Sequence, residues 1–183
     1  MEFGITIPLQ KFLKLKAPEY GDTPDLFFCW EVHRAEIQGL KLLVAVNSSN
    51  HFCAMSRMTG AKWKHWEDQT AQAIRVAMEC SKFTSEQIED YFAAAGPIVV
   101  TKTHGRKPVA SMNRAIEDLW PNSFSDEDPF QRHIYSRIND HMIAHCPTRK
   151  DYVVPAKAFA EDLAEHGIKP HQAKIIDFKT LAK

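Results

Sequence analysis

The segment Ile98–Trp120 reads IVVTKTHGRKPVASMNRAIEDLW and carries the most informative pattern of the chain. Its first residues are β-branched and predict a short strand, after which Gly105 and Pro108 predict an irregular loop. Ser111 has the character of a helix N-cap, and four apolar residues follow at helical spacing: Met112, Ala115, Ile116 and Leu119. The segment therefore predicts a strand, a basic loop and an amphipathic helix that stops before Pro121.

The charges in this segment predict a site for an anion. The first N–H groups of a helix carry partial positive charge, and here a basic loop leads up to them. We expect this loop–helix corner to hold a carboxylate, a phosphate or a nucleic-acid backbone through five residues: Lys102, Thr103, Arg106, Ser111 and Asn113. The alternative is that the basic side chains only pair with acidic side chains of the same molecule.

The same residues carry a resemblance to a known family. The motif TKTxxRxxxxSMN at Thr101–Asn113 resembles the signature of an uncharacterised bacterial family, domain of unknown function 6933, whose members typically read T-K-T-N-x-R-S-x-x-G-S-M-N. This chain departs from that pattern at His104, at Lys107 for the usual Ser and at Ala110 for the usual Gly. The similarity extends over most of the chain. It implies a shared fold and brings no activity with it.

The bulk composition is that of an ordinary globular protein. The chain has 183 residues, of which 44% are hydrophobic and 25% are charged, and a single domain over residues 1–183 is expected. A subdivision near Pro121 is the alternative, with a mixed sheet part over 1–121 and a helical part over 122–183. Because 23 basic residues balance 23 acidic ones, no global field favours nucleic acid or an acidic membrane.

The cysteines and the apolar runs indicate the compartment. Four widely spaced cysteines without a C-x-x-C pair argue against a zinc ribbon or a disulfide framework: Cys29, Cys53, Cys80 and Cys146. The N-terminus lacks a signal-peptide pattern, and no apolar run is long enough to span a membrane. We therefore expect a cytoplasmic protein that requires no cofactor.

The remaining pattern predicts an α+β fold. Three strands, Leu26–Ile37, Lys41–Val46 and His51–Met58, should form an antiparallel meander, with Gln38-Gly39 as the first turn. With Met1–Ile7 and the central strand they make a mostly antiparallel sheet of four or five strands. Helices should cover this sheet and dominate the C-terminal third: Pro8–Lys16, Lys62–Glu79, Ser85–Ala95, Phe130–His145 and Pro155–His166. Ile175–Lys183 is expected to be a tail.

Two aromatic residues and a histidine pair leave alternatives open. Trp63 and Trp66 lie beside lysines, which could indicate base stacking, but they share an apolar stripe with aliphatic residues, and this favours the core. His141 and His145 are four residues apart on the predicted helix and could ligate a metal. No third ligand is evident, so no metal site is expected. Ser111 with His104 as nucleophile and base lacks an orienting acid and is disfavoured.

These observations favour a non-enzymatic binding protein whose corner at Lys102–Asn113 holds an anionic small molecule or a protein partner. The runner-up is an enzyme that acts on a nucleotide or another phosphorylated substrate at the same corner, with catalytic residues unknown. A third interpretation is a nucleic-acid-associated regulator. The oligomeric state stays open.

Overall fold

A five-stranded mixed sheet forms the centre of the computed structural model, which describes residues 1–169. The strands lie in the order β4-β3-β2-β1-β5. Their bounds are β1 Glu2–Ile5, β2 Cys29–Ile37, β3 Leu40–Asn47, β4 Cys53–Arg57 and β5 Val99–Lys102. Strands β2, β3 and β4 pair antiparallel, whereas β1 pairs parallel with both β2 and β5. The predicted α+β fold, with a sheet of up to five strands, is confirmed.

The meander follows from its turn chemistry. Gln38 and Gly39 both have positive φ angles, 51° and 79°, as a two-residue hairpin turn between strands requires. The adjoining pairs run without a break from Ile37–Leu40 to Trp30–Asn47. The predicted hairpin is therefore correct in its turn and in the pairing of its strands, although the first strand begins at Cys29 and not at Leu26.

Helices cover the sheet, and most begin where the sequence predicts. Their bounds are α1 Ile7–Leu13, α2 Trp66–Cys80, α3 Ser85–Ala95, α4 Arg106–Leu119, α5 Arg132–Tyr135 and α6 Pro155–Glu165. Short 3-10 segments at Leu26–Phe28 and Lys62–His65 precede β2 and α2. Thr84 and Gln87 form a reciprocal capping box at α3. The predicted tail at Ile175–Lys183 lies outside the described residues.

The hydrophobic core occupies both faces of the sheet and includes both tryptophans in question. Phe3 and Trp30 are fully buried, and Trp30 Nε1 donates to the Tyr91 hydroxyl at 2.9 Å. Trp63 and Trp66 are only 8% and 6% exposed. Their apolar stripe therefore indicated the core correctly, and neither ring is available as a stacking surface.

The predicted long helix over Phe130–His145 is wrong. After α5 the chain forms a wide π-helical turn, Ser136–His141, and then a strand, β6 Ala144–His145, which pairs with β7 Tyr152–Val153. The reason is tertiary. The Asn139 side chain bonds to both backbone groups of Cys53 at 2.9 Å, and the Tyr135 hydroxyl bonds to both backbone groups of Met55. These side chains satisfy backbone N–H and C=O groups along the outer edge of β4. Helical periodicity in the sequence does not reveal that these groups require partners.

The predicted N-cap at Ser111 is also wrong. Helix α4 begins at Arg106, after Gly105 with φ 108°, so Ser111 lies in its interior. Pro108 falls in the first turn, where its missing N–H costs nothing. The loop signal of Gly105 and Pro108 therefore marked the start of the helix and not a longer irregular segment.

Candidate functional site

The strand register brings two glutamates and a cysteine to one face of the sheet. Glu2 lies opposite Cys29, and Gly4 lies opposite Glu31, in the parallel pairing of β1 with β2. Side chains two residues apart on a strand share a face, so Glu2, Cys29 and Glu31 point away from the core that Phe3 and Trp30 form. All three are buried, with Cys29 and Glu31 at 0% exposure.

His104 lies between the two carboxylates. Its Nδ1 is 2.8 Å from Glu31 Oε1, and its Nε2 is 3.0 Å from Glu2 Oε2. The His104 backbone N–H also donates to Glu31 Oε1, and so does the Ser48 hydroxyl. The backbone N–H groups of residues 22 and 23 donate to Glu2. We call Glu2, Cys29, Glu31 and His104 the His104 cluster.

This environment favours the protonated imidazole. Burial lowers the pKa of His104, but hydrogen bonds with Cys29 and Glu31, together with the negative charge of Glu31, outweigh it and raise this pKa to about 10. Burial would raise the pKa of Glu2, but hydrogen bonds from Thr23 and His104 hold it below its usual value. The cluster is therefore a cation held between two carboxylates at neutral pH.

Glycines make room for this arrangement. A Cβ on Gly4 would lie 2.8 Å from His104 Nδ1 and 3.0 Å from the backbone of Thr103. A Cβ on Gly21 would overlap the Glu2 carboxylate, at 1.7 Å from Oε2. Both positions therefore require the absence of a side chain because the cluster packs against their backbone.

A second histidine, His51, lies in the buried turn between β3 and β4. Its φ angle is 68°, an uncommon value for a residue with a side chain. The Asn47 side chain accepts from the backbone N–H groups of Ser49 and Asn50 and holds the turn in place. His51 Nδ1 lies 2.6 Å from the Ser111 hydroxyl of α4. The turn thus reaches both regions, since Ser48 contacts Glu31 and His51 contacts Ser111.

Ser111 opens onto a cleft of about 360 Å³ between α4 and the β6–β7 hairpin. We call it the α4 cleft. It is lined by Lys107, Ala110, Ser111, Arg114, His145, Pro147 and Tyr152, none of which is acidic. The ion pairs among residues 1–169 involve neither Lys107 nor Arg114. The cleft is therefore a cationic concavity with a hydroxyl in its wall.

The surroundings of His51 favour its neutral form. Burial is the main cause, and the nearby Arg114 and His145 add to it, so that the pKa of His51 falls to about 4. A neutral imidazole can accept the hydroxyl proton of Ser111 at Nδ1. The surroundings of His51 and His104 therefore favour different protonation states at neutral pH, a neutral ring at His51 and a cation at His104.

The structure distributes the five predicted site residues over different surfaces. Lys102 lies over the Tyr20 ring, with Nζ 4.2 Å from its centroid. Arg106 is exposed at the first position of α4. Thr103 and Asn113 line a separate groove of about 270 Å³, and Ser111 lines the α4 cleft. The predicted corner is thus spread over neighbouring concavities, and Ser111 and Asn113 face different ones.

The other histidine combinations are separated. His141 ends the π-helical turn and contacts the Ser136 carbonyl through Nδ1, whereas His145 lies in β6. They do not share a helix, so the geometric premise of a metal pair is wrong. Ser111 and His104 have different partners as well, since His51 takes the place beside Ser111.

The sequence did not predict several residues of the His104 cluster and of the region around the α4 cleft. Glu2 and Glu31 lie on strands, and only the parallel register joins them to His104. The spacing Glu2-x-Gly4 could have indicated the cluster. Glu2 and Gly4 lie on the same face of one strand, and a glycine there leaves room for another side chain beside the acid. His51 and Arg114 had no comparable signal.

Comparison with known families agrees with the motif. Residues 2–158 match the family described as Domain of unknown function (DUF6933), so the chain belongs to that family. No curated protein shows a significant match. Within residues 1–169, no helix has the length and apolar character needed to cross a membrane.

Proposed function

We propose that the protein binds an anionic small molecule, one that carries a phosphate or carboxylate group, in the α4 cleft. The observation that carries this proposal is the convergence of Lys107, Arg114 and the Ser111 hydroxyl on a concavity that no acidic residue of the described range 1–169 lines. Its volume of about 360 Å³ lies in the range usual for small-molecule sites. The proposed function is still the binding of an anion, as the sequence predicted. The proposed site lies one to two helical turns further along α4 than the predicted corner.

The contacts within the cleft suit an anion of two charges. Arg114 can pair with two oxygens through its planar guanidinium, and Lys107, two turns earlier on the helix, offers a second cation. Ser111 can donate one hydrogen bond. The exposed ring of Tyr152, 65% accessible, lies at the opposite wall, where it can pack against an apolar or aromatic part of the ligand.

An enzyme at the same cleft is the second candidate, and the contact between Ser111 and His51 favours it. A hydroxyl 2.6 Å from an imidazole nitrogen is the arrangement of an activated nucleophile. However, a general base works best when its pKa lies near the operating pH, and the pKa of His51 is about 4. His51 is therefore a weak base, and binding is the better supported function.

Titration calorimetry with inorganic phosphate, nucleoside monophosphates and dicarboxylates tests the proposal. We expect one of these classes to bind, and Arg114→Gln to weaken that binding about tenfold or more, since charge-assisted hydrogen bonds contribute roughly 1.5–3 kcal/mol. Arg106→Gln is the matched control, because Arg106 lies exposed on the same helix outside the cleft. Loss of binding in Arg106→Gln alone would assign the ligand to the originally predicted corner. No binding by any class would reject both.

The enzyme candidate has its own test. Aryl phosphate and aryl ester substrates should be turned over by the wild type and not by Ser111→Ala if Ser111 is a nucleophile. Ligand binding without turnover by the wild type supports the binding function. The Ser111→Ala variant must remain folded for this comparison.

We also place the protein in the cytoplasm as a single domain. All four cysteines are free thiols, which suits a reducing compartment.

A further inference from the structure

We propose that Glu2, Cys29 and His104 bind a divalent transition-metal ion of the zinc type, and that Glu31 positions His104 for it. One ligand atom from each of the three residues, a carboxylate oxygen, a thiol sulfur and a ring nitrogen, lies within 4.8 Å of the other two. This inference is independent of the α4 cleft. It also departs from the sequence analysis, which predicted no metal site.

The donor atoms select the class of metal. Sulfur and imidazole nitrogen are the preferred ligands of Zn²⁺, and a carboxylate oxygen completes sets of this kind. Glu2 Oε2 and His104 Nε2 are 3.0 Å apart, close to the roughly 3.3 Å that separates two light-atom ligands of a tetrahedral zinc ion. These two atoms need to move apart only slightly to share one ion, and Cys29 Sγ would complete the set by moving to its own ligand distance.

Glu31 occupies the position of an orienting carboxylate. Its Oε1 is 2.8 Å from His104 Nδ1, so it can accept a hydrogen bond from that nitrogen and leave Nε2 directed toward Glu2. Histidines that bind metals commonly donate their other N–H to a carboxylate in this way. Glu31 is therefore a positioning residue and not a ligand.

One buried carboxylate oxygen of the His104 cluster has no hydrogen-bond partner among residues 1–169. Glu31 is 0% exposed, and its second oxygen, Oε2, is buried and receives no hydrogen bond from the described residues 1–169. That oxygen belongs to the same carboxylate that contacts His104. A buried carboxylate of this kind is costly unless charge compensates it, and a divalent ion supplies more compensation than the single proton on His104.

A path to the site and a fourth coordination position are both present. A concavity of about 350 Å³ adjoins the cluster, and its lining includes His104, Gly21 and Thr23. Three protein ligands beside an accessible space leave one tetrahedral position for water. When the ion binds, the Cys29 thiol and His104 Nε2 each release a proton to solvent, and no other bond changes.

Titration of the chelator-treated full chain with Co²⁺ tests the site. Co²⁺ takes the place of Zn²⁺ and reports a sulfur ligand through a thiolate-to-cobalt charge-transfer absorption. We expect this absorption to rise to saturation at one ion per chain and to disappear when Zn²⁺ is added. Wild-type protein that develops no such absorption would overturn the proposal, and this result requires no variant to fold.

Variants assign the ligands. Cys29→Ser should remove the charge-transfer absorption, and Cys80→Ser is the matched control because Cys80 lies outside the cluster. Glu31→Gln keeps the shape of the side chain and should weaken Zn²⁺ binding about 10–100-fold, the usual effect of losing an orienting carboxylate. An absorption that survives Cys29→Ser, or an affinity that Glu31→Gln leaves unchanged, contradicts the assignment.

Discussion

His104 follows β5, and His51 contacts Ser111 of the helix α4 that comes next, but the environments of the two rings are reversed. His104 contacts two carboxylates and has a pKa of about 10, whereas His51 contacts a hydroxyl near two basic side chains and has a pKa of about 4. Burial disfavours the charged form of both rings. The difference therefore comes from the neighbours, and it separates a region suited to cations from a region suited to anions.

The largest effect should follow from removing the imidazole of the His104 cluster. His104→Asn leaves Glu2 and Glu31 buried without a cation between them, and breaking a buried pair from one side costs about 3–5 kcal/mol. Chemical denaturation at neutral pH with a chelator present measures this loss. His65→Asn is the control, since the His65 side chain is 73% exposed. A loss no larger than that of the control would mean that the cluster contributes nothing to stability.

The two histidines should respond to pH in opposite directions. The folded pKa of His51 lies below its ordinary value of 6.5, so the unfolded chain binds the proton first and stability falls as the pH drops from about 6.5 to 4. The full loss is roughly 3 kcal/mol, since one pKa unit is about 1.4 kcal/mol. The folded pKa of His104 lies above 6.5, so its contribution is complete below pH 6.5 and is lost as the pH rises toward 10.

Comparison of wild type with His51→Asn isolates the acidic limb, because asparagine tolerates the positive φ angle at this position. The difference in unfolding free energy between the two proteins should change over pH 4–6.5 and stay level above it. A difference that does not vary with pH would show that His51 is not held neutral in the folded protein.

Gly4→Ala should have an intermediate effect that is confined to the His104 cluster. The new methyl group would meet His104 Nδ1 at 2.8 Å and the backbone of Thr103 at 3.0 Å, and overpacking of this kind costs about 1–3 kcal/mol. Melting temperatures compare this variant with Gly60→Ala, where a Cβ meets no atom of residues 1–169 within 4 Å. Equal melting temperatures for the two variants would contradict the close packing of His104 on β1.

The smallest effect concerns the charge in the α4 cleft. Arg114→Gln should change stability by no more than about 0.5 kcal/mol, as is usual at exposed positions, and should raise the pKa of His51 by removing a nearby positive charge. Titration of the His51 ring followed by NMR measures this change. Arg106→Gln should leave the pKa of His51 unaltered, and an equal response to both variants would remove Arg114 from the environment of His51.

The sequence predicted local structure better than long-range contacts. The hairpin at Gln38-Gly39, the capping box of Thr84 and Gln87, and the helical face of Met112 and Leu119 all follow from neighbouring residues, and each is present. The helix over Phe130–His145 failed because Asn139 and Tyr135 satisfy backbone groups of β4, far away in the sequence.

The candidate site was only partly predictable for the same reason. The basic segment around α4 was recognised, and Ser111 does line a cationic cleft. The partners that define its chemistry lie elsewhere: Glu31 is 73 residues from His104, and His51 is 60 residues from Ser111. Strand register places Glu31 beside His104, and the turn between β3 and β4 places His51 beside Ser111. No spacing within the motif contains that information.

The protonation states of the two rings at neutral pH test the central claim most directly. In chelator-treated protein labelled with ¹⁵N, NMR of the imidazole nitrogens distinguishes a ring with two protons from a ring with one. We predict two protons on His104, with both nitrogens hydrogen-bonded, and one proton on His51. A neutral His104 or a charged His51 at pH 7 would contradict the division of this protein into a cation-binding and an anion-binding region.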